Sequence, residues 1–353
     1  MERKNGEGEC ERVKAVGLLE YLPIEHEQSL MDQEVEKPKA SGRDVLVKVE
    51  AVSVNPVDTK VRSPKDQKEE KLKILGYDAS GTVVEVGESC TLFQPGDHVY
   101  YAGDITRQGS NSEYQLVDER IVAKKPANLS FAEAAAMPLT TITAYEALFD
   151  RMHMKRNAEG STLLIIGGAG GVGSIAIQLA KLAKATVIAT ASRPETKEWC
   201  LSLGADHIID HHQPLLAQLE EKGIGEVDFI LCLNDTDGHF KGMAEAIKPQ
   251  GTICTIVENQ HKLDIQLLKN KSAAFVWEFM FTRPMFETAD MIKQHELLTE
   301  AGELFEQGKI THTLTKVLSP INAANLKQAH QTLEQGKMIG KFVLEGFEKG
   351  ENV

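Results

Sequence analysis

Ten residues in the middle of the chain, IIGGAGGVGS at positions 165–174, carry glycines in the spacing G-x-G-x-x-G. They follow an apolar segment typical of a strand and open an apolar segment typical of a helix. Glycines at such a junction leave backbone N–H groups uncovered, and the positive end of the helix dipole attracts a pyrophosphate there. The alternative is a turn whose glycines serve only helix–strand packing. We predict a dinucleotide site formed by Gly168, Gly170, Gly171, Val172 and Gly173.

The end of the next apolar segment, TVIAT, indicates which dinucleotide would bind. A site for NAD places an acidic side chain here, on the ribose hydroxyls. This chain has Ser192 and Arg193 at the segment's end and Lys197 one helical turn later. A hydroxyl and two cations suit a 2′-phosphate, so NADPH is the predicted cofactor. In the alternative interpretation, the two cations are solvated surface charges and Glu195 binds the ribose.

Two different patterns predict the elements that position these residues. Apolar segments alternate with amphipathic helices over residues 161–256, which predicts a parallel sheet covered on both faces. Over residues 13–125, short alternating segments lie between turn residues and predict a mostly antiparallel barrel or curled sheet. Ser130 and Glu133 have the spacing of a capping box and are expected to begin a helical connector between the two regions.

Composition limits the classes of function. A chain of 353 residues suggests about two domains, and 42% hydrophobic with 26% charged residues is typical of a globular protein. A net charge of −13, without long blocks of Lys or Arg, argues against nucleic acid and against a membrane surface as partners. Residues 1–12 are predicted to be a disordered tail. Because that tail lacks the apolar core of a secretory signal, a cytoplasmic location is expected.

The residue types also separate classes of nicotinamide enzyme. Short-chain reductases use a Tyr-x-x-x-Lys pair, and none of the six tyrosines is followed by such a lysine. The five cysteines form no C-x-x-C pair, so neither a disulfide framework nor a four-thiolate zinc site is expected. One cluster of acidic residues and histidines could alternatively bind a metal: Asp206, His207, Asp210, His211 and His212. We predict that this cluster is solvated surface instead.

Nearly the whole chain after the tail resembles the medium-chain dehydrogenase/reductase superfamily. The resemblance rests on SVNPVDTKVR, GYDASGTVVEVG, AAAMPLTTITAYEAL, GGAGGVGSIAIQLAK and GKFVLEGF. Zinc-containing members have Cys-Gly before an aspartate and Gly-His-Glu at the next strand, whereas this chain has Asn-Pro at 55–56 before Asp58 and Gly-Tyr-Asp at 76–78. The chain is most similar to the zinc-free quinone oxidoreductase (zeta-crystallin-like) branch, in its zinc-type alcohol dehydrogenase-like subgroup.

The resemblance implies an α/β fold with two domains. A GroES-like β-barrel catalytic domain would comprise residues 13–140 and 286–353, and a Rossmann domain with a doubly wound parallel sheet would comprise residues 141–285. The resemblance also implies a homodimer joined through the nucleotide-binding sheets. No metal is expected.

Family roles transfer to single positions of this chain. Asn55 resembles the asparagine beside the nicotinamide and the reacting carbonyl, Tyr77 another cofactor-facing residue, and Thr143 the threonine at the domain junction. His211 stands at the adenosine-phosphate site where relatives often carry a tyrosine, which leaves its role open. Each assignment has a structural alternative: Asn55 satisfies a turn, Asp58 caps the next helix, and Thr143 bonds a carbonyl of its own helix.

Without zinc as a Lewis acid, the predicted reaction is hydride delivery from NADPH to a conjugated carbon of a quinone or an α,β-unsaturated carbonyl compound. The cleft would be lined by two polar loops, VRSPKDQKEEK and GDITRQGSN, whose composition does not identify the substrate. The alternative function is an NADPH-binding redox sensor or structural protein with little turnover.

Overall fold

The computed structural model describes residues 11–348, which form sixteen β-strands and ten α-helices. The strands are β1 (Arg12–Tyr21), β2 (Met31–Glu36), β3 (Asp44–Val54), β4 (Lys65–Ile74), β5 (Ala79–Val86), β6 (His98–Tyr101), β7 (Tyr114–Asp118), β8 (Val122–Lys124), β9 (Thr162–Ile166), β10 (Thr186–Thr190), β11 (His207–Ile209), β12 (Val227–Cys232), β13 (Ile247–Thr255), β14 (Ala274–Trp277), β15 (Leu314–Leu318) and β16 (Lys341–Glu345). The helices are α1 (Pro56–Arg62), α2 (Phe131–Ala135), α3 (Pro138–Tyr145), α4 (Gly171–Leu182), α5 (Pro194–Ser202), α6 (Leu215–Glu221), α7 (Thr236–Ala246), α8 (Thr282–Met285), α9 (Lys293–Glu306) and α10 (Ala323–Glu334).

Six strands form the predicted parallel sheet, in the order β11-β10-β9-β12-β13-β14. Every neighbouring pair in it is parallel. Alternate residues of β9 face opposite cores: Leu163 and Ile165 pack with α4, while Leu164 and Ile166 pack with α6 and α7. Because both faces are covered, β9 is apolar along its length, and the doubly wound fold is confirmed.

A second sheet of seven strands has the order β15-β16-β3-β5-β6-β8, with β7 also paired to β3. All of its pairs are antiparallel except β15 with β16. The chain therefore returns near its C-terminal end to the sheet begun by β3. A separate three-stranded sheet, β2-β1-β4, completes this part of the molecule, and the mostly antiparallel prediction for the region is confirmed.

Two predictions near the start of the chain were wrong. The segment VRSPKDQKEEK was expected to be a loop, but most of it belongs to β4, which pairs with β1. Its charged residues do not alternate with apolar ones, so the sequence gives no strand pattern here. Side chains of β4 also contact β1: the Lys65 ammonium lies 3.9 Å from the centre of the Tyr21 ring, and the Lys68 ammonium lies 2.7 Å from the Glu20 carboxylate. Arg12 was assigned to the tail but begins β1 opposite Glu36. Residues 1–10 of the predicted tail lie outside the described residues.

The predicted helical connector is confirmed and brings the two main sheets together. Glu133 and Ser130 form the capping box of α2, with the Ser130 N–H 2.8 Å from the Glu133 carboxylate. The segments next to the two sheets also meet, since the Gly340 N–H, just before β16, donates at 3.0 Å to the Ala169 carbonyl in the loop after β9. The glycine loop thus lies against the start of β16, in the seven-stranded sheet. No helix within residues 11–348 has both the length and the hydropathy to cross a bilayer.

Candidate active site

Asn55 lies at the junction of β3 and α1, where Pro56 starts the helix. The Asn55 N–H donates to Asp58 Oδ2 at 2.7 Å, and the Asp58 N–H donates to the Asn55 carbonyl at 2.9 Å. Asp58 therefore caps α1, as the structural alternative for this residue predicted. The Asn55 side chain is not needed for that cap. It is buried and turns instead toward two charged residues.

Those two residues are Asp78, just before β5, and Lys341, the first residue of β16. The Lys341 ammonium lies 2.9 Å from Asp78 Oδ2 and also donates to Asn55 Oδ1 and, at 3.3 Å, to the Val54 carbonyl. Asn55 Nδ2 donates to Asp78 Oδ2 at 2.8 Å. All three side chains are almost fully buried. They form one closed polar network, which we call the Asn55–Asp78–Lys341 network.

Asp78 also connects this network to α3. The Leu139 N–H, in the first turn of that helix, donates to Asp78 Oδ1 at 2.7 Å. The helix carries Thr143, whose hydroxyl donates to the Leu139 carbonyl at 2.8 Å, as its structural alternative predicted. That bond uses the hydroxyl proton and leaves oxygen lone pairs able to accept. The network and α3 therefore hold one another in place.

Tyr77 is buried beside the network, but its hydroxyl has no hydrogen-bond partner among the described residues. Its ring packs edge-on against Phe281, with 5.3 Å between ring centroids. Burial raises the pKa of the Tyr77 hydroxyl, and the nearby Asp58 carboxylate raises it further. The phenol is therefore a neutral group that can still donate to a bound molecule.

The glycine loop has the geometry that its spacing predicted. Gly170 is the N-cap of α4, and within the described chain no side chain caps this helix. A Cβ atom on Gly168 would lie 2.8 Å from the Ala189 side chain, and one on Gly173 would lie 2.5 Å from the Gly167 carbonyl oxygen. These two glycines permit close packing, while at Gly170 the nearest atom would be 3.6 Å away. The first N–H groups of α4 are thus open to an anion.

The residues predicted at the adenosine end come from two neighbouring strands. Ser192 and Arg193 follow β10, and His211 follows β11, which pairs with β10 in parallel. The Arg193 guanidinium donates to the Lys337 carbonyl at 2.9 Å and lies 3.3 Å from the Glu195 carboxylate. Parallel strands end at one edge of a sheet, so this structure brings these residues to the carboxyl edge where nucleotides bind.

Two further features of the adenosine end bear on its charge. Lys197 is exposed on α5. Burial lowers the pKa of His211, and the neighbouring His212 lowers it further. The ring centroids of these two histidines are 4.2 Å apart. His211 is therefore predominantly neutral near pH 7.

The residues around Asn55 and Tyr77 do not fit a zinc site. Zinc in proteins is bound by Cys, His, Asp or Glu, but the positions that hold ligands in zinc members carry Asn55 and Tyr77. An ammonium already pairs with the one carboxylate of the network, Asp78. In residues 11–348, the one group that could share an ion is Asp210, His211 and His212, next to the outermost strand β11. The four cysteines in the described part of the chain are free.

Asp58 is the group in this site with a pKa near neutrality. Burial raises its pKa from 3.8 to about 7, although the Asn55 N–H and the Lys341 charge lower it. Because the folded pKa is raised, Asp58 contributes most stability at low pH. That contribution is lost as the pH rises from about 4 to about 7.

We expect Asp58→Asn to remove this loss. The stability of the variant relative to the natural protein should increase between about pH 4 and pH 8, up to about 4 kcal/mol, since one pKa unit corresponds to about 1.4 kcal/mol. Urea unfolding at a series of pH values measures this difference. Asp66→Asn, at an exposed position of β4, is the matched control and should show no comparable trend. A constant difference for Asp58→Asn would contradict a raised pKa of Asp58.

Sequence reasoning missed two residues of the site. Lys341 lies in the motif GKFVLEGF but was not predicted to belong to the site. Asp78 contributed only to the family resemblance, as part of Gly-Tyr-Asp at 76–78. A signal was present, because lysine is almost never fully buried unless it is paired, and Lys341 precedes three apolar residues of a strand. The sequence could not identify its partners.

Comparisons with known proteins agree with this architecture. The family model described as "Alcohol dehydrogenase GroES-like domain" matches residues 41–127, and the one described as "Zinc-binding dehydrogenase" matches residues 203–344. A zinc-type alcohol dehydrogenase-like protein of Staphylococcus aureus is 48% identical over 94% of this chain and 99% of its own. A crystal structure from Rhizobium etli CFN 42, of a protein described provisionally as a zinc-dependent alcohol dehydrogenase, has a TM-score of 0.92 at 51% identity, covering 96% of this chain and 99% of that one.

Two plant relatives have names that state a reaction. A 2-methylene-furan-3-one reductase of Solanum lycopersicum is 32% identical over 89% of this chain and 74% of its own. A chloroplastic NADPH-dependent alkenal/one oxidoreductase of Arabidopsis thaliana is 34% identical over 65% of this chain and 62% of its own. The first name describes a reductase, and the second describes an NADPH-dependent oxidoreductase.

Proposed function

This chain belongs to the medium-chain dehydrogenase/reductase superfamily of pyridine-nucleotide oxidoreductases, and from that premise we propose that it is an NADPH-dependent reductase of quinones or α,β-unsaturated carbonyl compounds that works without zinc. One observation carries the proposal. The site beside the glycine loop holds an amide and a phenol at positions where zinc members hold metal ligands, with an ammonium next to the amide. A site with hydrogen-bond donors and no zinc ligands suits an already electrophilic substrate.

The residues present fit the proposed cofactor. Open N–H groups at the start of α4 would hold its pyrophosphate, and the adenosine-end residues its ribose phosphate. Thr143, Asn55 and Tyr77 would lie at the nicotinamide end. When bound, NADPH supplies the hydride. The names of the two plant relatives are consistent with this reaction class.

The side chains of the cleft then have distinct tasks. The Tyr77 hydroxyl, buried without a partner, would donate to the carbonyl oxygen on which negative charge develops. The Asn55 amide, held by Asp78 and Lys341, would orient the reacting groups. Phe281, packed edge-on against Tyr77, would exclude water from that side.

The test is reduction of a substrate panel. Purified protein with NADPH should reduce at least one quinone or enone, measured by NADPH absorbance, and should oxidise no simple alcohol with NADP⁺. Metal analysis of the same untagged preparation should give no stoichiometric zinc. Tight NADPH binding with no turnover on any acceptor would instead favour a redox sensor or structural protein.

The preference for NADPH over NADH can be tested separately. We expect Arg193→Gln and Lys197→Gln each to weaken NADPH binding about tenfold, because a hydrogen bond to a charged group contributes about 1.5–3 kcal/mol. NADH binding should stay within about twofold, since it lacks the 2′-phosphate. Fluorescence titration measures both affinities. Lys184→Gln, at the opposite end of β10, is the control. Equal losses for NADPH and NADH would contradict the assignment.

The proposed homodimer would form along β14, the edge strand of the parallel sheet opposite β11. Trp277 on this strand is 44% exposed and Phe279 just after it is 42% exposed, so burial would remove apolar surface from water. We expect light scattering to give a dimer and Trp277→Lys to give a monomer. Leu201→Lys, at a 52% exposed position on α5, should remain dimeric. A monomeric natural protein would contradict the proposal.

A further inference from the structure

Lys341 is unusual because its charge is buried in β16, an inner strand of the seven-stranded sheet. Its side chain is 3% exposed, and the next three residues of β16 are fully buried apolar residues. Burying an ammonium costs several kcal/mol unless partners compensate for the lost water. The partners are the Asp78 carboxylate, the Asn55 amide oxygen and the Val54 carbonyl. A simple core position would be filled more stably by an apolar side chain.

We propose that Lys341 is a positioning residue of the active site: its ammonium fixes the Asn55 amide and supplies the permanent positive charge of a cleft that lacks zinc ligands. This inference rests on the proposed function. Lys341 acts through Asn55 and Asp78 rather than by touching the substrate.

Hydrogen-bond chemistry permits one orientation of the Asn55 amide. An ammonium has only donors, and an ionised carboxylate has only acceptors. Asn55 Oδ1 must therefore face Lys341, and Nδ2 must face Asp78, as the structure has them. A flipped amide would place the Asn55 N–H donors against the ammonium and the amide oxygen against the carboxylate, so neither contact would be a hydrogen bond. Lys341 thus removes a rotational freedom that asparagine would otherwise have, and orientation of this kind accounts for a large share of enzymatic rate enhancement.

The stem of Lys341 also packs against the glycine loop. A Cβ atom on Gly171 would lie 2.9 Å from Lys341 Cδ, and Gly340 bonds the loop at Ala169. A methionine at position 341 keeps an unbranched apolar stem of similar length but has no ammonium. Replacement by methionine should therefore preserve the cofactor site while removing the charge.

The charge of Lys341 also acts on both buried carboxylates. It lowers the pKa of Asp58 and of Asp78, against the larger effect of burial, which raises them. The other groups that act on Asp58 are the N–H groups of Asn55 and Gly76, which lower its pKa, and Asp78, which raises it. Loss of the ammonium should move the ionisation of Asp58 to higher pH. A purely packing role would leave that ionisation unchanged.

The experiment compares Lys341→Met with Lys316→Met, which makes the same change at an exposed position of the adjacent strand β15. With the quinone or enone found active in the panel, we expect Lys341→Met to lower kcat at least about tenfold while the NADPH Kd stays within about threefold. Lys316→Met should change neither. In an Asn55→Ala background, Lys341→Met should have little further effect on kcat, because the residue acts through Asn55.

One measurement does not depend on turnover. The midpoint of the pH-dependent stability difference between each protein and its Asp58→Asn counterpart should rise by about half a pH unit or more in Lys341→Met. Should Lys341→Met fail to fold because Asp78 is left unpaired, Lys341→Met with Asp78→Asn carries no buried unpaired charge and replaces it in the kcat measurement.

Normal kcat in a folded variant lacking the ammonium, together with an unchanged Asp58 midpoint, would overturn the proposal. A shifted midpoint in a protein that reduces no acceptor would contradict the proposed function alone, and would support the electrostatic role of Lys341.

Discussion

Gly173→Ala is expected to destabilise the protein by about 3 kcal/mol or more, as overpacking of a tight contact does. The added Cβ atom would lie 2.5 Å from the Gly167 carbonyl oxygen and 2.6 Å from the Gly168 carbonyl oxygen. Both atoms are backbone, so α4 must move away from the strand that precedes it. Because the same helix start would bind the pyrophosphate, NADPH affinity should fall more than about tenfold as well. Urea unfolding and fluorescence titration measure the two effects.

Gly170→Ala separates packing from cofactor binding in the same loop. Gly170 has φ −72° and ψ 171°, which any residue can adopt, and its Cβ atom would meet nothing closer than 3.6 Å. Stability should therefore change by less than about 1 kcal/mol. NADPH affinity should still fall about tenfold, because the methyl group would cover N–H groups at the helix start. If both variants bind NADPH as the natural protein does, the loop serves only helix–strand packing.

Asp78→Ala is expected to cost about 3–5 kcal/mol of stability, the usual effect of breaking a buried ion pair by removing one partner. Asp78 is fully buried and accepts hydrogen bonds from Lys341, Asn55 and the Leu139 N–H. Its removal leaves the Lys341 ammonium without a counter-charge and the start of α3 without an acceptor. Urea unfolding of the apoprotein measures the loss.

The cause of that loss can be identified with a second substitution. Asp78→Ala combined with Lys341→Met removes both charges, so it should recover at least about 2 kcal/mol relative to Asp78→Ala alone. Asp66→Ala, at an exposed position of β4, provides the control. If the double variant is less stable than Asp78→Ala, the two residues are not coupled through their charges, and the network interpretation fails.

Local patterns in the sequence determined most of the fold. The strand, glycine turn and helix at 162–182 were predicted because burial on both faces makes a strand apolar throughout and because glycine spacing reflects backbone close to backbone. The capping box at Ser130 was also predicted, because its two partners are only three residues apart in the sequence. By contrast, β4 was missed, because its residues are charged and its strand conformation depends on pairing with β1.

The sequence alone also placed Asn55, Tyr77 and the glycine loop at one site, through the resemblance of their motifs to a family. Tertiary structure decided what surrounds them. Lys341 is 286 residues from Asn55 and 263 from Asp78, and nothing in their spacing encodes the contact. The contact exists because β16 pairs with β3 and carries the lysine beneath the glycine loop. Periodicity records which side chains are buried, whereas the partner of a buried charge is fixed only when distant strands pair.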